Sequence, residues 1–310
     1  MLDRAVRTNG PDGRADAAPS DALRGQICSN SELSFLMEAH DGLSAAIAER
    51  AGFKGLWASG LSIASSLGYR DANEASWTQL VDAVERIVDS NTLPVLVDGD
   101  SGFGNFNNAR LLARKLCQRG AAGVAFQDSC FPKMNSFVGE RHPLAEIDEF
   151  SGRLRAVKDS VGTDLVLVAR TEALIADHSM DEAILRAHAF ADAGADAILI
   201  HSRKSTADEV LSFASAWQNR LPLVIVPTKY YRTPVSAYHD ARISTVIWAN
   251  HAMRAAIVAM RRICDRIIAR EGTASIESHI APLEDIFELL RYDELARAEA
   301  KYLHPGDLRQ

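Results

Sequence analysis

Leu165–Ser202 reads LVLVARTEALIADHSMDEAILRAHAFADAGADAILIHS. It opens on one apolar run, Leu165–Ala169, and closes on another, Ala197–Ile200. Neither run alternates with polar residues, which is the pattern of parallel strands buried on both faces. The segment between them, SMDEAILRAHAFADAGA, is amphipathic. Ser179 stands where an N-cap belongs, Glu182 follows three residues later, and Gly194 stands where a helix would end. The stretch is predicted to be strand, helix, strand. Each strand ends on chemistry, Arg170-Thr-Glu172 after the first and His201-Ser202 after the second.

The same unit recurs along the chain. Further apolar runs are Phe35–Ala39, Gly55–Ala58, Pro94–Val97, Gly123–Phe126, Leu223–Val226 and Thr245–Trp248. The phrases ERAGFKG, QRGAAG and ADAGADA sit just before runs and read as helix endings feeding the next strand. Eight strands alternating with helices predict an α/β fold, a (β/α)8 barrel. A doubly wound open sheet shares the local pattern, but no Gly-rich dinucleotide fingerprint follows the first run.

The chain has 310 residues, 47% of them hydrophobic, enough for one large core or two ordinary ones. A net charge of −7 argues against nucleic-acid binding, which needs a basic surface. No apolar run approaches a membrane span, and no secretory signal pattern opens the chain. Cys28, Cys117, Cys130 and Cys264 are widely spaced and show no CxxC, as expected of a reduced, cytoplasmic protein. Residues 1–30 are rich in Gly, Pro, Ser, Asp and Arg with little apolar periodicity, and read as a mobile tail. Residues 31–310 are predicted to form the barrel and its C-terminal helices.

Polar residues crowd the carboxyl ends of the runs: His40-Asp41, Ser59-Gly60, Asp98-Gly-Asp100, Gln127-Asp128, Arg170-Thr-Glu172, His201-Ser202, Pro227-Thr-Lys229 and Asn250-His251. A barrel gathers these ends on one rim, where active sites are built. Asp98 and Asp100 suit a hard divalent cation such as Mg²⁺, although alternation along a strand points them to opposite faces. As loop-capping residues they would carry no such meaning. Arg170 suits bidentate capture of a carboxylate or phosphate, unless it is spent on Glu172. His201 can donate to a substrate oxygen or shuttle a proton. The segment FPKMNSFVG, Phe131–Gly139, has no helical pattern and is long enough for a lid carrying Lys133 and Asn135.

The stretches MEAHDGLSA, AGFKGLWASGLS, RDANEASWTQ, DGDSGFGNFNNAR, FPKMNS, VARTEALIA, GADAILIHSR, VPTKYY and VIWANHAMRA occur in order between about Leu33 and Leu303. Together they resemble the phosphoenolpyruvate mutase branch of the isocitrate lyase/phosphoenolpyruvate mutase superfamily. The resemblance implies a (β/α)8 barrel whose last helix is swapped between subunits of a homodimer or homotetramer. It also implies Mg²⁺ and a small anionic 2-oxo acid or enol-phosphate substrate. The implied reaction is interconversion of phosphoenolpyruvate and phosphonopyruvate. Matching residue by residue, Trp57, Ser59, Gly60 and Leu61 would line the oxo-acid end. Asp71 would lie beside the reacting group. Asp98, with Asp100 farther out, would serve the metal. Arg170 and His201 would hold the migrating group and the enol oxygen, and Lys133, Asn135 and Ser136 would belong to the gating loop.

Carbon–carbon lyases of the superfamily carry a KKCGH-like loop with a proton-transferring Cys, absent from FPKMNS here. Phosphonopyruvate hydrolases carry Thr where mutases carry Asn, so Asn135 points to the mutase. One motif departs from the pattern. Strand four ends Gln127-Asp128-Ser129, where the resemblance implies Glu-Asp-Lys. The change removes one charge of each sign. Gln127 keeps an acceptor oxygen toward metal-bound water but attracts Mg²⁺ less. Four readings follow: a mutase with an adjusted metal site, a mutase-like enzyme for an analogue carrying another oxyanion group, a phosphonopyruvate hydrolase, and a non-catalytic metabolite-binding member.

Overall fold

The computed structural model describes residues 18–28, 32–138 and 143–303. Among the described residues there are eight strands: β1 (Ser34–Ala39), β2 (Gly55–Ala58), β3 (Val95–Asp98), β4 (Gly123–Gln127), β5 (Val166–Thr171), β6 (Ala197–Ile200), β7 (Leu223–Ile225) and β8 (Thr245–Trp248). All neighbours pair in parallel, and β8 pairs with β1, so the sheet closes in chain order. The helices are α1 (Pro19–Ile27), α2 (Gly42–Arg50), α3 (Gly60–Ser66), α4 (Trp77–Asp89), α5 (Phe106–Gln118), α6 (Ile147–Val161), α7 (Met180–Asp192), α8 (Asp208–Trp217), α9 (Val235–Asp240), α10 (His251–Arg270), α11 (Leu283–Leu289) and α12 (Tyr292–Tyr302). The fold is therefore the closed barrel and not the open sheet.

Strands β2 to β7 are buried at every position, as the unbroken apolar runs predicted, while β1 and β8 keep partly exposed ones. One phase points inward: Leu36, Trp57, Leu96, Ala125, Val168, Leu199, Val224 and Ile247 share one core cluster. The other phase, including Leu56, Val97, Phe126, Leu167, Ile200 and Val246, packs outward with the helices. Phe150 of α6 meets Phe190 of α7 edge to face, with ring centroids 4.7 Å apart. In α7 the Ser179 hydroxyl accepts from the Glu182 amide at 3.2 Å, as its N-cap position predicted. The Glu182 side chain does not close a capping box. It accepts instead from Arg186 Nε at 2.8 Å.

The tail assignment is corrected over its last part. Residues 19–27 form α1, and Leu23 and Ile27 join the inward-facing core cluster. A Cβ added to Gly123, the first residue of β4, would lie 2.7 Å from Leu23 Cδ2. One added to Gly55, the first residue of β2, would lie 2.8 Å from Gln26 Oε1. The two glycines let α1 sit against the amino ends of the strands and plug that end of the barrel. Gln26 Nε2 donates to the Lys54 carbonyl at 2.6 Å, and Arg24 to the Thr163 carbonyl at 3.1 Å. Two apolar residues four apart, in an otherwise polar segment, are too faint a stripe to read without their receptor. Residues 1–17 and 29–30 lie outside the described residues.

The described residues from 252 to 303 form a separate compact unit. No residue of α10, α11 or α12 is buried, and Val258, Met260, Ile268, Leu283 and Leu290 are exposed. No helix among the described residues is long and apolar enough to cross a membrane.

Leu23→Ala is expected to lower unfolding stability by about 2–5 kcal/mol, the usual range for emptying a buried leucine site. A residue of a mobile tail would change it by less than about 0.5 kcal/mol. Urea denaturation decides: an unshifted midpoint would show that α1 does not plug the barrel.

Candidate active site

The inward phase carries the site. Two residues beyond the apolar layer, side chains return to the same face. Ser59 follows Trp57, Asp98 follows Leu96, Gln127 follows Ala125, Arg170 follows Val168 and His201 follows Leu199. Val226 and Ala249 follow Val224 and Ile247 at the ends of β7 and β8. With Trp57, Leu61, Asp71, Lys133, Asn135, Ser136, Phe137, Thr228 and Asn250, they line one cavity of about 50 Å³ at the carboxyl ends of the strands. Two cavities of about 470 and 450 Å³ lie elsewhere and contain none of these groups. The small volume at the rim reflects a seated lid.

That lid is the segment 131–138. Lys133 is buried, and its Nζ pairs with Asp71 Oδ1 at 2.7 Å and with Asp100 Oδ1. Its backbone amide donates to Asn73 Oδ1 at 2.7 Å, and Asn73 Nδ2 donates to Asp100 Oδ2 at 2.8 Å. Asn135 Nδ2 donates to Asp71 Oδ2 at 2.5 Å. Ser136 Oγ donates to Glu172 Oε2 at 2.6 Å and accepts from Arg170 at 2.9 Å. Farther along, Arg203 donates to the Ser136 carbonyl at 3.0 Å. Phe137 stands edge-on to His201, centroids 5.3 Å apart, and Lys229 Nζ lies 5.0 Å from the Phe137 ring centroid. Residues 139–142 lie outside the described residues.

Burial alone would strip charge from this cluster, and the neighbours reverse it at most positions. Desolvation pulls Lys133 down, but Asp100, Asp71 and Asp98 together raise it, so it stays an ammonium. Burial would raise Asp71, yet Lys133 and Asn135 hold it below the ordinary carboxylate range. Asp100 is the exception. Burial, with the Asp98 and Asp71 charges, outweighs Lys133 and pushes it up to about 7. Glu172 is buried too, but the Arg170 guanidinium holds it well below the ordinary range. For His201, burial and the Arg170 charge lower its affinity for a second proton.

Arg170 is tied down as well as facing the cavity. Its Nε donates to Glu172 Oε1 at 2.5 Å, the alternative partner foreseen from the sequence. Its second nitrogen lies 2.9 Å from His201 Nδ1. A guanidinium only donates, so Nδ1 accepts and the imidazole proton sits on Nε2. That Nε2–H is buried and has no hydrogen-bond partner. Below Arg170, Asp128 points outward. It accepts from the Glu172 amide at 2.8 Å, Thr171 Oγ1 at 3.1 Å and Arg186 at 3.3 Å, which joins the ends of β4 and β5.

The candidate metal groups divide as alternation requires. Asp98 and Gln127 line the main cavity, whereas Asp100 lies in an adjoining one of about 20 Å³ with Gly60, Asp71 and Asn73. A Cβ on Gly60 would come within 3.2 Å of Asp98 Oδ2 and 3.3 Å of Asp100 Oδ1, so the chain passes close to both carboxylates. Ser59 caps α3, accepting from the Ser62 amide at 3.4 Å. Gln127 Nε2 donates to Ser129 Oγ at 2.6 Å, which leaves Oε1 for the cavity. No cluster of three His, Cys, Asp or Glu side chains arranged for a metal is found among the described residues. One carboxylate plus an amide oxygen, with a further carboxylate behind, fits Mg²⁺ completed by water and substrate oxygens. It does not make a cage of protein ligands.

All thirteen residues singled out from the sequence thus meet at this rim, eleven around the main cavity and Gly60 and Asp100 behind it. Sequence reasoning gave no site role to Asn73, Phe137, Glu172 or Arg203, which seat the lid. Nor did it give one to Thr228 and Asn250, although both stood among the strand-end residues. For Glu172 and Thr228 a signal existed: each is two residues beyond an inward-facing position.

Residues 24–268 match the family model described as phosphoenolpyruvate phosphomutase. The phosphoenolpyruvate phosphomutase of Streptomyces hygroscopicus is 49% identical over 275 residues, 88% of each chain. The crystal structure of phosphoenolpyruvate phosphomutase from Streptomyces platensis subsp. rosaceus superposes with a TM-score of 0.89 at 38% identity, covering 92% of this chain and 99% of that one. A phosphonopyruvate hydrolase solved with oxalate and Mg²⁺ superposes with a TM-score of 0.87 at 35% identity, covering 93% and 100%. A barrel with this rim, matched along nearly its whole length, belongs to the phosphoenolpyruvate phosphomutase family.

Proposed function

We propose that this chain interconverts phosphoenolpyruvate and phosphonopyruvate by moving the phosphoryl group between oxygen and carbon. One observation carries the reading. The lid seats Lys133 and Asn135 on Asp71 in the same small cavity that Asp98, Gln127, Arg170 and His201 line. The reaction is balanced within one molecule. A carbon–phosphorus bond breaks as an oxygen–phosphorus bond forms, with no water consumed. Phosphoryl transfer asks a protein mainly for positioning and charge stabilisation. Asp98 and Gln127, backed by Asp100, would hold Mg²⁺, which supplies a Lewis acid to the oxo-acid oxygens. Trp57, Ser59 and Leu61 would form the wall for that end, with Gly60 behind them. Arg170 and the His201 Nε2–H are donors for oxygens of the migrating group.

The closed lid also supports isomerisation over hydrolysis. Both Asp71 oxygens are taken, by Lys133 and Asn135, so this carboxylate is not free to deprotonate water. Asn135 is neutral and offers no base. A cavity of about 50 Å³ leaves little room for water beside a substrate.

We also infer that the protein works as a homodimer or homotetramer, with the C-terminal helices meeting a second copy of the chain. Val258, Met260, Ile268 and Leu283 are each more than half exposed, an apolar surface that self-association would bury.

Phosphorus NMR of the protein with Mg²⁺ and phosphonopyruvate is expected to show phosphoenolpyruvate appearing. Inorganic phosphate with pyruvate would identify a hydrolase. No turnover, with metal binding established separately, would overturn the reaction and leave an analogue substrate or a binding role. Asp98→Ala is expected to cut turnover by at least about 10–100-fold. Lys133→Met removes the ammonium between Asp71 and Asp100. A nonspecific protease should then cut within 131–138 severalfold faster; an unchanged cleavage rate would show that these ion pairs do not hold the lid. Light scattering after size exclusion should give two or four times the chain mass, and a monomer at micromolar concentration would refute the assembly.

A further inference from the structure

Two strand-end groups have no part in the chemistry above, Thr228 after β7 and Asn250 after β8. Both line the cavity. Thr228 Oγ1 and Asn250 Oδ1 are buried without a hydrogen-bond partner, as is His201 Nε2. Asn250 is only 7% exposed and His201 only 3%. Buried polar atoms are almost always satisfied, because leaving one unpaired forfeits its hydration with nothing in return. Three such atoms around one cavity of about 50 Å³ mark a place for an oxygen-bearing ligand.

Their position in the barrel says which part of the ligand. Strands β2 to β4 contribute Ser59, Asp98 and Gln127, the side suited to a cation and an oxo acid. Strands β5 to β8 contribute Arg170, His201, Thr228 and Asn250, with no carboxylate facing the cavity from β6, β7 or β8. Between these groups the wall is apolar, from Val226 and Ala249. His201 offers an N–H, Thr228 a hydroxyl, and Asn250 either end of its amide, since the two can exchange by rotation. A tetrahedral group with three oxygens can meet all three, whereas a planar carboxylate has only two oxygens to offer.

We propose that Thr228 and Asn250, with His201, form the subsite for the tetrahedral oxyanion group of the substrate, and so help decide which group the enzyme accepts. This rests on the reading that the substrate is a phosphorylated or phosphonated oxo acid. It assigns the β7–β8 wall a direct ligand contact.

The test is calorimetric titration in Mg²⁺ with two probes. Oxalate is planar and has no tetrahedral group; phosphoenolpyruvate has both ends. Thr228→Val and Asn250→Leu are each expected to weaken phosphoenolpyruvate binding at least about tenfold while oxalate stays within about twofold. Thr228→Ser, which keeps the hydroxyl, should remain near wild type. Unchanged phosphoenolpyruvate affinity would show that the orphaned atoms only hold water and would overturn the subsite. So would equal weakening of both probes, the mark of a structural role, or a wild-type protein that does not bind phosphoenolpyruvate. Variant-sensitive binding without isomerisation in the NMR experiment would leave the subsite standing and remove the proposed reaction.

Discussion

A strand turns every second side chain to the same face, and closing eight parallel strands into a ring makes that period do two jobs at once. One layer of inward positions, Leu36, Trp57, Leu96, Val168 and Leu199 among them, fills the barrel. The next layer up cannot be covered by another turn of the same sheet, because the strands end. Asp98, Gln127, Arg170 and His201 stand there, each anchored by the packed residue two positions below. The site thus rests directly on the packed layer that fills the barrel.

Charge at this rim is concentrated, and its balance depends on the lid. Asp71, Asp98 and Asp100 come together with Lys133 as the ammonium placed among them. Withdrawing the lid would take that ammonium away and admit water to the carboxylates. Closing it returns the charge and expels the water. Lid position and local electrostatics are therefore one variable. Asp100, held up at about 7, is the group most exposed to this coupling, since its ionised form relies on Lys133 against two neighbouring carboxylates.

The end of strand four is a neutral couple. Gln127 and Ser129 hydrogen-bond to each other at 2.6 Å, and Asp128 between them turns outward to Arg186. The couple satisfies itself without a counter-ion, so it places an acceptor oxygen at the cavity without adding a carboxylate to a cluster that already holds three. The site is fully assembled around this couple. Its neighbours on β3 and β5 keep their register with it, Asp98 beside Ala125 and Arg170 beside Gln127.

The eight strands, their parallel character and the end of the barrel that carries the chemistry were readable from the chain because each is a local pattern. Run length, burial on both faces and a polar strand end need no knowledge of what lies across the ring. The same locality singled out Asp98, Asp100, Lys133, Asn135, Arg170 and His201, whereas Trp57, Leu61, Asp71 and Ser136 were reached only through the family resemblance. What required tertiary structure was pairing over distance. Leu23 and Ile27 make a core helix only because Gly55 and Gly123 leave room beneath the strands. Lys133 acquires its role only when a loop after β4 meets Asp71 and Asp100 from elsewhere in the chain. The His201 tautomer is set by Arg170 on the neighbouring strand, and Thr228 and Asn250 become notable only once their burial without partners is seen. Periodicity is written in neighbouring residues, whereas burial and hydrogen-bond satisfaction belong to atoms that only the closed barrel brings together.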